Sequence, residues 1–413
     1  MSQSKQKILV HLPNPLHPID TGSKRRIVGF LKYFNSRKET FVIDIVANNY
    51  FREPRWTAEQ RAFLQDYCDR LFVYEGEQSI FDFVYSRTKS IYYQKLLKRQ
   101  LPIDSDYFTP PGYCRFVHTL LSANNYDIFW LNYVDYAHLM TDFKGVLPRL
   151  VIDMHDIACE IRLARKNVNH LQGLAFDYST NFQKEIALLN KFDTILVNSQ
   201  TEMEMISPQI SSNKLHLIPH LVQDSNVPDT IPTYPSRQFD YDLLFVGTAY
   251  QPNIDGLNFF LTSIFPKILY HHPDIRFAIV GSVGKAIELD KSFEKNVLCL
   301  GFVPDLAEVY LKTRVVLCPL REGSGTKVKL QEAMAYALPI VSTTVGASGL
   351  ALHNGLNSFI TDDPDLYAQK VLYLLERPDV AEAISTEVAL TFENQYSNHA
   401  IFAKLDQLFE PQF

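Results

Sequence analysis

Pro319-Leu320-Arg321-Glu322-Gly323-Ser324-Gly325-Thr326-Lys327-Val328-Lys329-Leu330-Gln331-Glu332-Ala333-Met334-Ala335-Tyr336-Ala337-Leu338-Pro339 is the stretch on which the reading of the chain turns. The run Val315–Cys318 before it has the apolar, β-branched texture of a buried strand, and Ile340–Ser342 after it has the same. Between them the glycines make a loop, a helical pattern starts near Thr326, and Pro339 stops it before the second strand. A strand, a glycine loop, a helix and a second strand make one unit of a parallel α/β sheet.

The same unit recurs in both directions. Leu243–Val246, Arg276–Val280 and Val297–Leu300 precede it, each followed by a loop and a helical pattern. Nearer the start, Ile8–Leu12, Phe41–Val46, Leu71–Tyr74, Asp127–Leu131, Leu150–Met154 and Thr194–Val197 form an earlier series of the same kind. Between the two series, Val222–Asp240 holds Pro228, Pro232 and Pro235 and no periodic apolar face, the texture of a linker. With 413 residues, 46% of them hydrophobic, the chain can build two domains of ordinary size. The fold class expected is α/β, with two tandem Rossmann-like, doubly wound parallel-sheet domains. The boundaries are an N-terminal domain over 1–222, a linker over 223–240, a C-terminal domain over 241–390 and a closing helix over 391–413. The last helical stretches are Asp365–Leu375 and Ala400–Leu408, and the final one is a candidate for crossing back onto the first domain. Open α/β sheets bind ligands at the carboxyl ends of their strands, where the topology switches. With two such domains facing each other, the cleft between them is the expected site.

Charge and cysteine usage exclude several classes. A net charge of -6 gives no general attraction to nucleic acid or to an anionic membrane, so no nucleic-acid partner is expected and any membrane contact must be local. The five cysteines are scattered, without a CxxC pair or zinc-ligand spacing, which fits a reducing, cytoplasmic compartment. The opening MSQSKQKILVHLPNP runs straight into a short apolar strand, so no export signal is expected. No stretch approaches the roughly 18–20 apolar residues of a spanning helix, which leaves peripheral contact through the N-terminal domain as the membrane link to consider. Two basic stretches bear on it. Thr21–Lys38 carries Lys24, Arg25, Arg26, Lys32, Arg37 and Lys38 with no acid, and Tyr85–Arg99 carries Arg87, Lys89, Lys95, Lys98 and Arg99 among aromatic and aliphatic residues. Such helices either lie on anionic membranes or are solvated faces.

Glycines let a backbone approach a ligand closely, and a helix N-terminus is a ready anion site. Lys327 and Lys329 sit in that first turn, where each positive charge opposes the helix dipole by roughly 0.3–1 kcal/mol. A bound diphosphate would reverse the sign of that cost. Glu332 lies about 10 Å along the axis from Gly325, roughly the span from a diphosphate to its ribose, whose hydroxyls a carboxylate can accept. The plainer alternative is a structural turn with Lys329 paired to Glu332 three residues on.

From Gly323 through Pro339 the chain resembles the donor-site signature of glycosyltransferase family 4, a retaining family of the GT-B fold. Phe245-Val246-Gly247, Ile279-Val280-Gly281, Gly301-Phe302-Val303 and Pro339-Ile340-Val341-Ser342 fit its C-terminal domain in order, over nearly all of 241–390; the first domain matches more weakly. The resemblance implies retaining hexosyl transfer from a nucleotide-diphosphate sugar, foremost a UDP-sugar, to a glycan or lipid-linked acceptor in polysaccharide biosynthesis, with no metal and no cofactor. It implies donor contacts from Gly247, Thr248, Asn253, Phe302, Val303, Gly323, Ser324, Gly325, Thr326 and Glu332. Thr21-Gly22-Ser23, closing the loop Pro13–Ser23, resembles the family's glycine loop near the donor phosphate and adds Gly22 and Ser23. His155, in Asp153-Met154-His155-Asp156 after a strand, resembles a histidine placed near the anomeric carbon, with Asp153 or Asp156 to fix its tautomer; the alternative is a loop histidine beside Asp156 as helix N-cap. Catalytic roles then fall to His155, Lys327 and Lys329.

Two departures stand out. Ser324 occupies the place of the family's first signature Glu, with Glu322 two positions early, and Thr248 and Asn253 stand where the family commonly has Arg and Lys. Lys327 and Lys329 are expected to supply that charge from the opposite wall. Two other readings stay open: a GT-B nucleotide-sugar epimerase, and a non-catalytic nucleotide-sugar-binding subunit, the latter motivated by the missing Glu. Asp104-Ser105-Asp106 has the spacing of a DxD metal site of another fold and is read as coincidence. Gly281–Lys285 lacks full P-loop spacing.

Overall fold

The computed structural model of the chain describes residues 5–19, 21–49, 56–75, 80–164, 173–222, 227, 231–323 and 325–409. Two compact units result, residues 1–218 with 410–413 and residues 219–409.

The first unit is a seven-stranded sheet of order β3-β2-β1-β4-β5-β6-β7. Its strands are β1 (Gln6–Leu12), β2 (Phe41–Asn49), β3 (Arg70–Glu75), β4 (Ile128–Asn132), β5 (Arg149–Asp153), β6 (Thr194–Val197) and β7 (Leu215–Leu217). Every neighbouring pair is parallel, with Ile8 opposite both Ile43 and Ile128. Parallel strands covered on both faces read as continuous apolar runs, which is why Ile8–Leu12 and Leu150–Asp153 are buried throughout. The helix Gly22–Asn35 starts where the Thr21 hydroxyl accepts from the Lys24 amide at 3.3 Å. Its apolar side, Ile27, Phe30, Leu31 and Phe34, is buried. Phe30 and Phe34 meet the Trp130 ring at 4.8 and 5.4 Å, and burying each such aromatic is worth roughly 1.5–3 kcal/mol. The apolar side of the basic stretch Thr21–Lys38 is thus spent on the sheet.

The second unit is a six-stranded sheet of order β10-β9-β8-β11-β12-β13. It consists of β8 (Tyr241–Val246), β9 (Phe277–Val280), β10 (Val297–Gly301), β11 (Thr313–Cys318), β12 (Ile340–Ser342) and β13 (Phe359–Ile360), again all parallel. Its core gathers Leu243, Phe245, Phe260, Phe277, Leu317 and Val341 with the helices that flank them. The helix Pro364–Glu376 is capped by Asp363, which accepts from the Leu366 amide at 2.8 Å, and is tied to the sheet by the Tyr367 hydroxyl donating to the Val341 carbonyl at 2.7 Å. The helices Pro378–Gln395 and Asn398–Phe409 follow, both in this unit. Within 231–240, Tyr234 is buried and its hydroxyl donates to the Arg314 carbonyl at 3.2 Å. Among the described residues, no helix is long and apolar enough to cross a membrane.

The carboxyl ends of β8 and β9 are drawn together through glycine. Gly281 has φ +99°, and a Cβ there would lie 2.1 Å from the Gly247 carbonyl oxygen. No side chain fits that gap, and the left-handed backbone adds strain of its own. Gly281→Ala is therefore expected to cost at least about 2 kcal/mol, read as a lower urea midpoint by circular dichroism. An unchanged midpoint would show that the two strand ends can part freely.

Candidate functional site

In the first unit the order reverses between β1 and β4, and at such a switch the strand ends stay open to a ligand. Asn132, the last residue of β4, spans that point by donating its side-chain amide to the His11 carbonyl at 2.7 Å. Its Oδ1 lies 2.9 Å from His155 Nε2, and Asp153 Oδ2 lies 3.3 Å from the same nitrogen. With two acceptors beside it, Nε2 carries the ring hydrogen and Nδ1 carries the lone pair. That Nδ1 is buried with no hydrogen-bond partner.

Asp153 is held by Arg26, which has no exposed surface. Arg26 Nε lies 2.9 Å from both carboxylate oxygens and Nη2 lies 2.7 Å from Oδ1, while Nη1 donates to the Ile218 carbonyl at 2.7 Å. Planar, bidentate geometry of this kind is what makes an ion pair tolerable away from water. Burial pulls the His155 pKa down to about 4; Asp153 opposes the shift and Arg26 adds to it. The imidazole is neutral at pH 7 and offers an acceptor. It stacks on Tyr133 with ring centroids 4.1 Å apart, and both residues take positive φ, +64° at His155 and +66° at Tyr133. Burial raises the Tyr133 hydroxyl to about 12, with a hydrogen bond to Ser23 pulling the other way, so the loop Thr21-Gly22-Ser23 reaches this cluster.

The start of the next helix is served by two carboxylates from elsewhere in the unit. The amides of Ala158 and Cys159, at the start of Ala158–Ala164, donate to the Glu185 carboxylate at 2.7 and 2.9 Å, and the Ile157 amide donates to Glu202 at 3.1 Å. Glu185, a buried carboxylate from the helix Tyr178–Leu189, thus faces the positive end of this helix. Sequence reading also missed Arg26 as a site residue, counting it only as part of a basic face. A signal for it exists: Arg26 lies four residues before Phe30, on the apolar side of its helix.

In the second unit the switch lies between β8 and β11. Gly247 follows β8, and a Cβ there would come 2.9 Å from the Phe245 ring and 3.1 Å from Asn253 Cγ. Asn253, on the helix Gln251–Phe259, donates to the Thr248 carbonyl at 3.1 Å and accepts from Lys329 Nζ at 2.7 Å. The Lys329 ammonium also sits 4.3 Å from the Phe245 ring centroid. Burial lowers its pKa; Cys318 opposes this and nearby Lys327 adds to it. Lys327 Nζ turns back onto the loop, donating to the Gly325 carbonyl at 2.7 Å and the Gly323 carbonyl at 3.2 Å. Both glycines have positive φ, +118° and +77° respectively for Gly323 and Gly325. Ser324 lies outside the described residues.

The helix begins at Val328, two residues later than Thr326, with Lys327 at the N-cap and no capping bond from its side chain. Lys329 reaches Asn253 at 2.7 Å, so the expected Lys329–Glu332 pairing is replaced by a contact across the sheet switch. Glu332 instead accepts from the Tyr310 hydroxyl at 3.2 Å, and Tyr310 stacks on Tyr336 at 5.0 Å. Phe302, just past Gly301 at the end of β10, is 86% exposed, while Val303 packs on the core. Thr248, Asn253, Lys329 and the glycine loop therefore meet at one strand switch, and Gly22 and Ser23 belong with His155 at the other. Asp104 pairs with Lys184 at 3.0 Å and Asp106 with Lys89, so the DxD-like acids face separate cations.

Residues 240–377 match the family model described as glycosyl transferases group 1. The structure also aligns with the crystal structure of Anabaena Alr3699/HepE in complex with UDP and glucose, at 14% identity and a TM-score of 0.63, covering 98% of this chain and 100% of that one. The chain has the GT-B fold. The GT-B chain is similar, at 26% identity over 194 residues, to an uncharacterized 44.6 kDa protein in the cps region of Klebsiella pneumoniae, covering 43% of this chain and 50% of that protein. It is 24% identical over 217 residues to the gpi3 subunit of phosphatidylinositol N-acetylglucosaminyltransferase from Schizosaccharomyces pombe, covering 50% and 43%. It thus spans about half the length of the curated relatives it matches.

Two measurements test the first-unit cluster of this GT-B chain. Arg26→Met leaves Asp153 buried without its guanidinium and should cost about 3–5 kcal/mol in urea unfolding, most of which Arg26→Met with Asp153→Leu should recover; a single variant as stable as wild type would sink the account. For His155, the unfolded ring titrates near 6.5 and the native ring near 4. Between those values only the unfolded chain takes up the proton, so stability falls as pH falls, by up to about 1.4 kcal/mol per unit. Glu202, raised by burial from 4.5 to about 7, slopes the other way, so the comparison must be internal. His155→Gln should lose less stability than wild type between pH 7 and pH 5; an equal loss would show that the native imidazole protonates normally.

Proposed function

We propose that the protein transfers a sugar from a UDP-sugar to a glycan or lipid-linked acceptor, with retention at the anomeric carbon. One observation carries the reading: Lys329, from the helix after the glycine loop, meets Asn253 across the β8–β11 switch at 2.7 Å. Asn253 and Thr248 stand where the resembled family commonly places cations, and the ammonium arrives there from the opposite wall. As the glycosidic bond breaks, charge grows on the leaving phosphate, and catalysis depends on groups already aimed at that charge. Lys327, Lys329 and the positive end of the helix Val328–Ala335 fill that role.

Glu332 takes the ribose hydroxyls, and exposed Phe302 offers a ring face to the base. His155, neutral with its lone pair on Nδ1, accepts a hydroxyl of the transferred sugar. The complex of HepE with UDP and glucose, and the name N-acetylglucosaminyltransferase on the yeast relative, support a nucleotide-sugar donor. The lysines take the place of a divalent metal, so turnover is expected to survive EDTA.

Lys327→Ala with Lys329→Ala should weaken UDP binding at least about tenfold, or about 1.4 kcal/mol, by isothermal titration calorimetry with the circular dichroism spectrum unchanged. Unchanged affinity would refute the phosphate site. Ser324, in the place of the signature Glu, favours a second reading, a non-catalytic nucleotide-sugar-binding subunit. UDP-sugar binding without hydrolysis or transfer to any offered glycan would decide for it.

A further inference from the structure

A helix that packs on a domain turns its apolar stripe inward. The segment formed by the helix Ile80–Ser90 and the π-helical turn Ile91–Leu96 does the reverse. The buried positions of its first part are Asp82, Ser86 and Ser90, four residues apart. They dock it through directional bonds: Asp82 accepts from the Gly112 amide at 2.9 Å and the Tyr74 hydroxyl at 2.8 Å, and Ser86 donates to the Tyr107 carbonyl at 3.1 Å. The side turned to water carries Ile80, Phe81, Val84, Tyr92, Leu96 and Leu97, with Phe81 86% and Leu96 72% exposed. Apolar side chains gathered in this way mark an interaction surface.

Charge selects the partner. Arg87, Lys95, Lys98 and Arg99 are all exposed along the same segment. Among the described residues, Asp82 turns inward and Asp106 pairs with Lys89, while Asp177 lies within electrostatic reach of Arg99 alone of the four cations. On a chain of net charge -6 this is a local cationic patch. In a two-fold pairing through this face the cations would meet their own copies, whereas lipid phosphates would neutralise them.

We propose that this face docks on an anionic lipid bilayer. The helix lies in the plane of the interface, its aromatic and aliphatic side chains enter the headgroup–acyl boundary, and the four cations stand over lipid phosphates. The proposal is independent of the donor-site reading.

Flotation of the full chain with vesicles of equal parts phosphatidylglycerol and phosphatidylcholine, at low and at high salt, tests it. Co-flotation is expected at low salt and loss at high salt, with little binding to phosphatidylcholine alone. Phe81→Ser with Leu96→Ser, and separately Lys95→Glu with Lys98→Glu, should each reduce partitioning by about tenfold or more while keeping the wild-type thermal midpoint, since all four side chains are exposed. Failure of the wild type to float, or equal flotation of both double variants, overturns the proposal. So does a dimer in light scattering that Phe81→Ser with Leu96→Ser dissociates, which would assign the face to a second copy.

Discussion

A carboxylate sealed from water has to be neutralised where it stands, and Arg26 does this for Asp153. The pair joins three parts of the first unit: the helix Gly22–Asn35, the end of β5, and the chain at Ile218, where that unit closes. Because the guanidinium consumes the charge of Asp153, the imidazole beside it need not become a cation. His155 therefore keeps one donor and one acceptor at a strand end. Removing the ion pair would change the chemistry of the histidine as well as the stability of the fold.

The second unit handles charge differently. Lys327 donates to carbonyl oxygens of the loop, and Lys329 faces an amide oxygen and a ring. Dipoles and quadrupoles compensate a cation only in part, and the lowered pKa of Lys329 records the shortfall. Both arrangements sit at the point where a doubly wound sheet leaves its strand ends uncovered. One unit presents a neutral ring there, and the other presents an incompletely neutralised Lys329.

Much of this architecture is legible in the sequence, because buried parallel strands are apolar from end to end. Eleven strands show as short β-branched or aromatic runs, β3 and β10 among them although both are only partly buried. β7 escapes because His216 interrupts its three residues and only Leu215 is buried, and β13 because it has two residues. The helix Pro378–Gln395 escapes because the residues it buries are Ala381, Ile384, Ser385 and Val388, a thin stripe with small and polar members. Glycine, lysine and Glu332 in one short stretch mark the glycine loop and its helix, but their partners lie far along the chain. Lys329 and Asn253 are 76 residues apart, and Arg26 and Asp153 are 127 apart. No local periodicity encodes such pairs. Composition singles out the segment Tyr85–Arg99, but amphipathic patterning would place its apolar side inward; that Asp82, Ser86 and Ser90 take the inner positions depends on acceptors and donors supplied by Tyr74, Tyr107 and Gly112.

Tyr133 and His155 hold their rings face to face on left-handed backbones that glycine or asparagine would occupy at less expense. Selection for a sturdier fold alone would push both positions toward those residues and lose both rings. Their presence makes this corner a place where backbone ease and ring placement compete, and where a version of the chain redesigned only to relieve positive φ would give up the second to gain the first.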